Sequence, residues 1–203
     1  MKNLYLRIRD DGSVGITTPW RFSKKEALAF VAQKERWIVD RLTYRGYHAR
    51  QNPKRFDPSS HIWFLGVSYP VTCEPAVRNR IDFKGDRFLF KKADAVKFPE
   101  ALERFYLRSA KEILAERTAY WSQKMALVPK ALKFRRYKSR WGCCSADNVI
   151  TLNTALLRYE MRLIDYVVIH ELAHIRHKHH QKAFWELVAH YEPEWKILRK
   201  RLV

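Results

Sequence analysis

Residues 164–175 constrain the fold more than any other stretch, because they combine almost continuous apolar character with two histidines and a glutamate. The segment is Ile-Asp-Tyr-Val-Val-Ile-His-Glu-Leu-Ala-His-Ile, so a helix built from it is apolar on nearly every side and belongs inside a core. His170 and His174 lie about one turn apart on nearly the same face of that helix. Buried imidazole and carboxylate groups need partners, because an unpaired charge removed from water is costly.

A metal ion is the partner that this spacing favours. Two neutral imidazoles four residues apart can bind one Zn²⁺ ion, and Glu171 between them can accept a proton from a water that the metal activates. The motif therefore indicates hydrolysis. The competing interpretation is a pair of core histidines that hydrogen-bond to backbone groups, with Glu171 at the helix surface.

A catalytic zinc usually takes three protein ligands, so a third residue is expected to reach the ion. The candidates are His177, His179, His180 and Glu186. On an unbroken helix His177 lies about 10.5 Å beyond His170 along the axis, too far for both to bind one ion, although it could pair with His174. His180 could reach the metal only if the helix ends and the chain turns back, and no glycine or proline marks such a break. The spacing favours His180 only weakly.

The composition indicates a folded and strongly basic protein. The 203 residues are 47% hydrophobic, which is enough for a proper core. Forty Lys and Arg against 21 Asp and Glu give a net charge of +19, spread along the chain rather than gathered in a tail. This charge would attract phosphates, nucleic acid or other polyanions. Basic surfaces of this kind also occur without such a role, so both interpretations stand.

Cysteine usage and hydropathy predict a cytoplasmic protein without membrane contact. Cys73 stands alone and Cys143 is adjacent to Cys144, an arrangement unsuited to a disulfide framework. No apolar run is long enough for a signal peptide or for a membrane span.

Residues 1–97 are predicted to be a β-rich N-terminal region with one amphipathic helix. A hairpin with a turn at residues 10–12 begins this region, and Ser23 with Glu26 forms a capping box at the start of the helix. Three short strands are expected further along, at residues 62–67, 69–73 and 87–90.

Residues 98–203 are predicted to form the core of an α+β fold. Phe98-Pro99 begins a helix of nearly thirty residues. Strands at residues 132–141 and 149–153, joined by a turn at 145–148, lead to the histidine-bearing helix. Two shorter helices, divided at Glu192-Pro193, complete the chain.

A family resemblance is found in three blocks of this C-terminal half, and in His180 and Phe184-Trp185, which follow the blocks in sequence. The blocks are residues 137–144, 150–153 and 164–174. They closely resemble the YgjP-like metallopeptidases, small zincins related to the WLM and SprT-like families. In that family HExxH is followed, after five residues, by a third histidine and then by a Phe-Trp pair.

The resemblance implies a zincin-like catalytic core at residues 98–203. It implies Zn²⁺, or another divalent transition metal, bound by His170, His174 and His180, with Glu171 as the general base of a metallopeptidase. The chain departs from the family where Cys143 replaces the usual serine. It departs again where His179 and Gln181 replace the asparagine and serine that flank the third histidine, which keeps His179 open as an alternative ligand.

In zincins an extended substrate lies along an edge strand above the metal, and residues 132–141 are the candidate strand here. Lys138 and Arg140 are two residues apart, so they share one face of that strand and could bind an acidic group or a phosphate of the substrate. Their other interpretation is protection of the sheet edge against aggregation.

Two other functions fit the same residues. In a nucleotide pyrophosphatase or phosphohydrolase, the activated water would attack phosphorus while basic residues of the strand neutralise the phosphates. In a nucleic-acid-binding protein the zinc would be structural, and lysines and arginines would contact the phosphate backbone. Structural zinc sites usually fill all four positions with protein ligands and favour cysteine, which counts against the second alternative.

Overall fold

The computed structural model describes residues 4–8, 13–20, 22–35, 38–39 and 60–202. The chain forms two compact units, Met1–Asn52 and Pro53–Val203. The first contains an antiparallel hairpin and a helix, whose bounds are Tyr5–Ile8 (β1), Val14–Thr17 (β2) and Lys24–Gln33 (α1). Ser23 and Glu26 form the predicted capping box at the start of α1. The predicted turn at residues 10–12 lies outside the described residues.

The second unit begins with a four-stranded sheet. Its strands are His61–Phe64 (β3), Val67–Pro75 (β4), Arg80–Phe83 (β5) and Phe88–Lys92 (β6). They lie in the order β3-β4-β6-β5, with β4 and β6 parallel and the other pairs antiparallel. The sequence did not predict β5. It also extended the first strand to residue 67, whereas Leu65 and Gly66 form a turn with φ of 51° and 86°.

A long helix packs against this sheet. It comprises α2 (Phe98–Ser109), a π-helical segment (Ala110–Leu114) and α3 (Ala115–Met125), which confirms the predicted helix of nearly thirty residues. The ring of Phe105 lies 5.3 Å from that of Phe64 and 5.0 Å from that of Phe88. The four-stranded sheet and the helix therefore share one core. The sequence placed a boundary after residue 97, whereas the two compact units divide after residue 52. Periodicity along the sequence does not reveal that Phe105 of the helix packs on the sheet.

A second sheet of three strands follows the long helix. Its strands are Ala131–Arg135 (β7), Gly142–Cys144 (β8) and Val149–Asn153 (β9). β9 is central, parallel to β7 and antiparallel to β8. The turn at residues 145–148 is confirmed and joins β8 to β9. The predicted strand at 132–141 is wrong beyond residue 135, because residues 136–141 form a loop that side-chain hydrogen bonds from β9 hold.

Three helices complete the unit. They are Met161–Arg176 (α4), Lys182–Tyr191 (α5) and Trp195–Arg201 (α6), so the last two are divided where the sequence predicted. Arg162 at the start of α4 donates two hydrogen bonds to the carboxylate of Glu192, at 2.8 and 3.2 Å. Arg201 pairs with Glu160, which joins α6 to the start of α4. The fold is α+β, as predicted, and no helix in the described part of the chain is long and apolar enough to cross a membrane.

Candidate metal centre and its cleft

The histidine-bearing helix α4 lies in the centre of the core, as its apolar sequence requires. Val168, Ile169 and Leu172 are almost completely buried. His170 and His174 project from one face of the helix, with ring centroids 5.0 Å apart. Two imidazoles are thus fixed side by side by helix geometry alone.

The helix ends at Arg176 without a glycine or proline. His177 adopts an extended conformation with φ of −126°, and its backbone N–H still donates to the carbonyl of Ala173. The carbonyl of His177 accepts a 3.0 Å hydrogen bond from Nδ1 of His174. This bond puts the proton of His174 on Nδ1 and leaves Nε2 with a free lone pair.

After this break the chain returns His180 to the two helical histidines. Nε2 of His180 lies 3.0 Å from Nε2 of His170, and one ring nitrogen from each of His170, His174 and His180 lies within 4.8 Å of the others. Within the described ranges this is the one cluster of three or more such residues that could hold an ion. His177 and His179 are not part of it, and neither is Glu186.

The chemistry of these three groups fits a divalent transition metal. Burial and the neighbouring histidines lower the pKa of His170 to about 3, and burial also lowers the pKa of His174 and His180. The imidazoles are therefore neutral and available as ligands at physiological pH. Three neutral imidazoles without a thiolate suit catalytic zinc, and nickel, cobalt or iron remain compatible with the same donors.

Aromatic side chains of α5 surround the histidines. The Phe184 ring lies 4.5 to 4.9 Å from all three imidazoles. Trp185 stacks on His180 at 5.4 Å with an interplanar angle of 20°, and its Nε1 donates a 3.1 Å hydrogen bond to the His180 carbonyl. The Phe-Trp pair thus fixes the position of the third histidine.

Glu171 points to the opposite side of the site, against β8. Its side chain is buried, and burial raises its pKa to about 8, an effect that Arg140 partly offsets. A Cβ on Gly142 would lie 2.7 Å from both Cγ and Oε1 of Glu171. Only glycine allows the strand to approach the glutamate this closely. A strand glycine is a known signal of close backbone approach, so the sequence could have indicated Gly142.

A cleft of about 290 Å³ opens beside the histidines and Glu171. Tyr166 from the same helix and Trp185 from α5 also line it, and Trp141, Arg199 and Leu202 come from elements more distant in sequence. Burial raises the pKa of Tyr166 to about 12, so its hydroxyl is a hydrogen-bond donor. Sequence analysis missed Arg199, and no local signal could have found it, because only the packing of α6 turns it towards the cleft.

The loop at residues 136–141 forms the approach to Glu171, and Asn153 at the end of β9 determines its shape. Asn153 is buried, and its Nδ2 donates to the carbonyls of Tyr137 and Arg140 at 3.1 and 2.7 Å. Its Oδ1 accepts a 3.0 Å bond from the N–H of Ala155. Both N–H donors of this amide thus hold the loop, and its oxygen caps the short 3-10 helix that follows β9.

The predicted substrate-binding residues Lys138 and Arg140 lie in this loop and do not alternate along a strand. Both are exposed, and neither is among the described residues that line the cleft. Arg140 is still close enough to Glu171 for its charge to act on the carboxylate. The edge strand that lies against Glu171 is β8, not the strand that the sequence indicated.

The chain is similar to several known proteins over about half of its length. Over 116 residues the chain is 28% identical to the UTP pyrophosphatase of Escherichia coli (strain K12), a match that covers 56% of this chain and 64% of that protein's length. Two solved structures are similar to 44% of the chain. The metallopeptidase zymogen of Pyrococcus abyssi abylysin is 24% identical, with 90% of its chain covered and a TM-score of 0.41. The metallopeptidase zymogen of Methanocaldococcus jannaschii jannalysin is 16% identical, with 92% of its chain covered and a TM-score of 0.40.

The family comparison covers almost the whole chain. Residues 2–203 match the family described as YgjP-like, metallopeptidase domain, so the match includes the N-terminal residues as well as the histidine site. The chain belongs to the YgjP-like metallopeptidase family.

Proposed function

We propose that this protein is a metal-dependent hydrolase in which His170, His174 and His180 bind a divalent metal, most suitably zinc, and Glu171 is the general base. The observation that carries the proposal is the convergence of three imidazole nitrogens within 4.8 Å of one another. A buried carboxylate follows the first of these histidines and lines the same cleft. This combination matches what hydrolysis by an activated water requires.

His170, His174 and His180 would hold the metal, which would supply a Lewis acid for the scissile bond and for the attacking water. Glu171 then accepts the proton of the attacking water and passes it to the leaving group. Gly142 leaves room for the glutamate at the wall of the cleft, and Arg140 favours its charged form. Tyr166 also lines the cleft, and its hydroxyl is a donor that could bind an oxygen on which negative charge develops.

A peptide bond is the substrate that we propose first. The family is described as a metallopeptidase domain, and β8 provides an edge strand beside Glu171 along which an extended chain could lie. A structural zinc in a nucleic-acid-binding protein is disfavoured, because His170 and His180 line an open cleft and neither Cys143 nor Cys144 belongs to the histidine cluster.

A phosphoanhydride bond of a nucleoside triphosphate is the second candidate. The similar Escherichia coli protein is named UTP pyrophosphatase, and a positively charged side chain, Arg199, lines the cleft of this chain. The same general base and the same metal chemistry would serve attack on phosphorus.

Metal content and hydrolysis, measured on matched variants, test the proposal. Purified wild type, Glu171→Gln, His180→Ala and His179→Ala are compared for bound transition metal and for cleavage of a peptide library and of nucleoside triphosphates. We expect Glu171→Gln to retain metal and to lose activity by about 100-fold or more, the usual contribution of a general base. His180→Ala should lose both, whereas His179→Ala should keep both because His179 lies outside the cluster.

Each outcome has a clear meaning. A wild-type protein that binds no stoichiometric transition metal would refute the proposal. Loss of metal in His179→Ala with retention in His180→Ala would transfer the third ligand to His179. Cleavage of one substrate class by wild type and by His179→Ala, but not by Glu171→Gln, identifies the reaction.

A further inference from the structure

Three arginines of helices α4 and α6 differ in whether a carboxylate pairs with them. Arg162 pairs with Glu192 and Glu194, and Arg201 pairs with Glu160. Arg199 has no carboxylate within 4 Å among the described residues. Its side chain lines the cleft that also contains Glu171. A guanidinium turned into a cleft without a counter-ion is a candidate binding group for an anion.

The position of Arg199 is determined by an aromatic stack. Its guanidinium lies over the ring of Trp185, 5.0 Å from the centroid. Trp185 also stacks on His180, and Trp195 stacks on Trp185 at 4.1 Å with an interplanar angle of 13°. The arginine and the third histidine therefore contact the same indole. Stacking restricts the guanidinium before any ligand arrives, which lowers the entropy cost of binding.

The charges around the cleft leave this arginine available. Glu171 is the single carboxylate among its described lining residues, and it lies against β8, where Arg140 acts on it. An anionic group in the cleft would thus meet the Arg199 guanidinium beside His170 and His180.

We infer that Arg199 is a specificity-determining residue that binds an anionic oxygen group of the substrate, a phosphate or a carboxylate, beside the histidine cluster. Its planar fork can donate two parallel hydrogen bonds to either group, and this geometry distinguishes it from a lysine. The inference rests on the proposed hydrolase for its substrate. Binding of the anion itself requires only that Arg199 lines the cleft.

Lys196 offers a matched control on the same helix. Its ammonium lies 5.7 Å from the centroid of Trp195, so it carries the same charge over the neighbouring indole, but it does not line the cleft. Replacement of either residue by glutamine removes one positive charge from α6. A general electrostatic effect would therefore be the same in both variants.

The first experiment measures binding without turnover. Metal-loaded Glu171→Gln protein, alone and combined with Arg199→Gln, Arg199→Lys or Lys196→Gln, is titrated with inorganic phosphate in a calorimeter at constant ionic strength. We expect Arg199→Gln to weaken binding about 10- to 100-fold, because charge-assisted hydrogen bonds are lost. Arg199→Lys should restore only part of the affinity, and Lys196→Gln should stay within about twofold of its parent. Equal affinities in the Arg199→Gln and Lys196→Gln proteins would overturn the inference.

The second experiment identifies the source of the anion. Steady-state kinetics of wild type, Arg199→Gln and Lys196→Gln are measured with nucleoside triphosphates, with peptides that carry an acidic residue, and with their amide counterparts. We expect Arg199→Gln to raise KM for the charged substrate about tenfold or more, with a smaller change in kcat and no change for amide peptides. An effect on nucleotides alone assigns a phosphate, an effect on acidic peptides alone assigns a carboxylate, and an equal effect on amide peptides contradicts the inference. If no substrate is cleaved the proposed hydrolase fails, whereas the titration still tests Arg199.

Discussion

The two walls of the cleft are built in different ways. The metal wall uses His170 and His174 from one helix and His180 from the return that follows it, so its donor atoms come from eleven consecutive residues. The opposite wall brings Gly142 and the loop at 136–141 against Glu171 through hydrogen bonds from Asn153. The first wall depends on local geometry, and the second depends on packing between distant elements.

This difference implies that metal binding and catalysis can be separated by mutation. Changes on the loop wall should alter the position of Glu171 or of the substrate while the metal content stays constant. Changes behind His180 should weaken metal binding and leave turnover intact once the site is saturated.

Among the changes to the loop wall, Gly142→Ala should have the largest effect on catalysis. The added Cβ would lie 2.7 Å from Cγ and Oε1 of Glu171, whose buried side chain has little room to move. Displacement of the general base should lower kcat/KM by about 100-fold or more, while the metal content stays at the wild-type level. Cys143→Ser, one residue further along the same strand, is the control and should remain active. An active Gly142→Ala enzyme would show that β8 does not position Glu171.

Glu171→Gln should stabilise the metal-free protein at alkaline pH. Burial raises the folded-state pKa of Glu171 from 4.5 to about 8, so the folded state holds its proton where the unfolded chain has lost it. The stability that this carboxyl contributes is complete below about pH 4.5 and is lost as pH rises through about 8. The glutamine variant should therefore exceed wild type by about 5 kcal/mol at pH 9 and match it near pH 4.

Denaturant unfolding at both pH values, with a chelator present, measures this difference. The lowered pKa values of the histidines occur in both proteins, so their contribution to the pH dependence cancels to first order. Loading with metal should remove most of the advantage, because a divalent charge beside Glu171 favours its carboxylate. An advantage that does not change with pH would contradict the burial effect.

The metal wall was the more predictable half of the site because its information is local. The four-residue spacing of His170 and His174 determines their common face in any helix. The spacing left the position of His180 open, since the helix ends at Arg176 without a glycine or proline. The family resemblance indicated His180 as the third ligand. A strand over residues 132–141 was predicted because the alternation of side-chain types continues past residue 135. Nothing in the local sequence shows that Asn153 donates to the carbonyls of Tyr137 and Arg140 and holds this stretch as a loop.

Asn153→Asp tests how far the loop wall depends on one side chain. The carboxylate can still accept from the N–H of Ala155, but it cannot donate to the carbonyls of Tyr137 and Arg140. We expect a loss of about 2 kcal/mol in the free energy of unfolding and a several-fold rise in KM, with metal content unchanged. Asn148→Asp is the control, because its side-chain oxygen accepts from Lys178 and the carboxylate keeps that role. Loss of metal in Asn153→Asp would show that the two walls are coupled.

Trp185→Phe should have the smallest effect and should act only on the metal wall. It removes the 3.1 Å hydrogen bond from Nε1 to the His180 carbonyl but keeps an aromatic ring beside the imidazole. Partners that orient a metal ligand typically contribute about 10- to 100-fold to metal affinity, and the retained ring places the expected loss near the lower limit. Competition with a chromophoric chelator measures the affinity, and kcat at saturating metal should stay within about twofold of wild type, since Glu171 is untouched.

Trp195→Phe changes an indole that stacks on Trp185 and should leave metal affinity unchanged. Equal losses in both variants would mean that packing of the stack, not the hydrogen bond to His180, holds the third ligand.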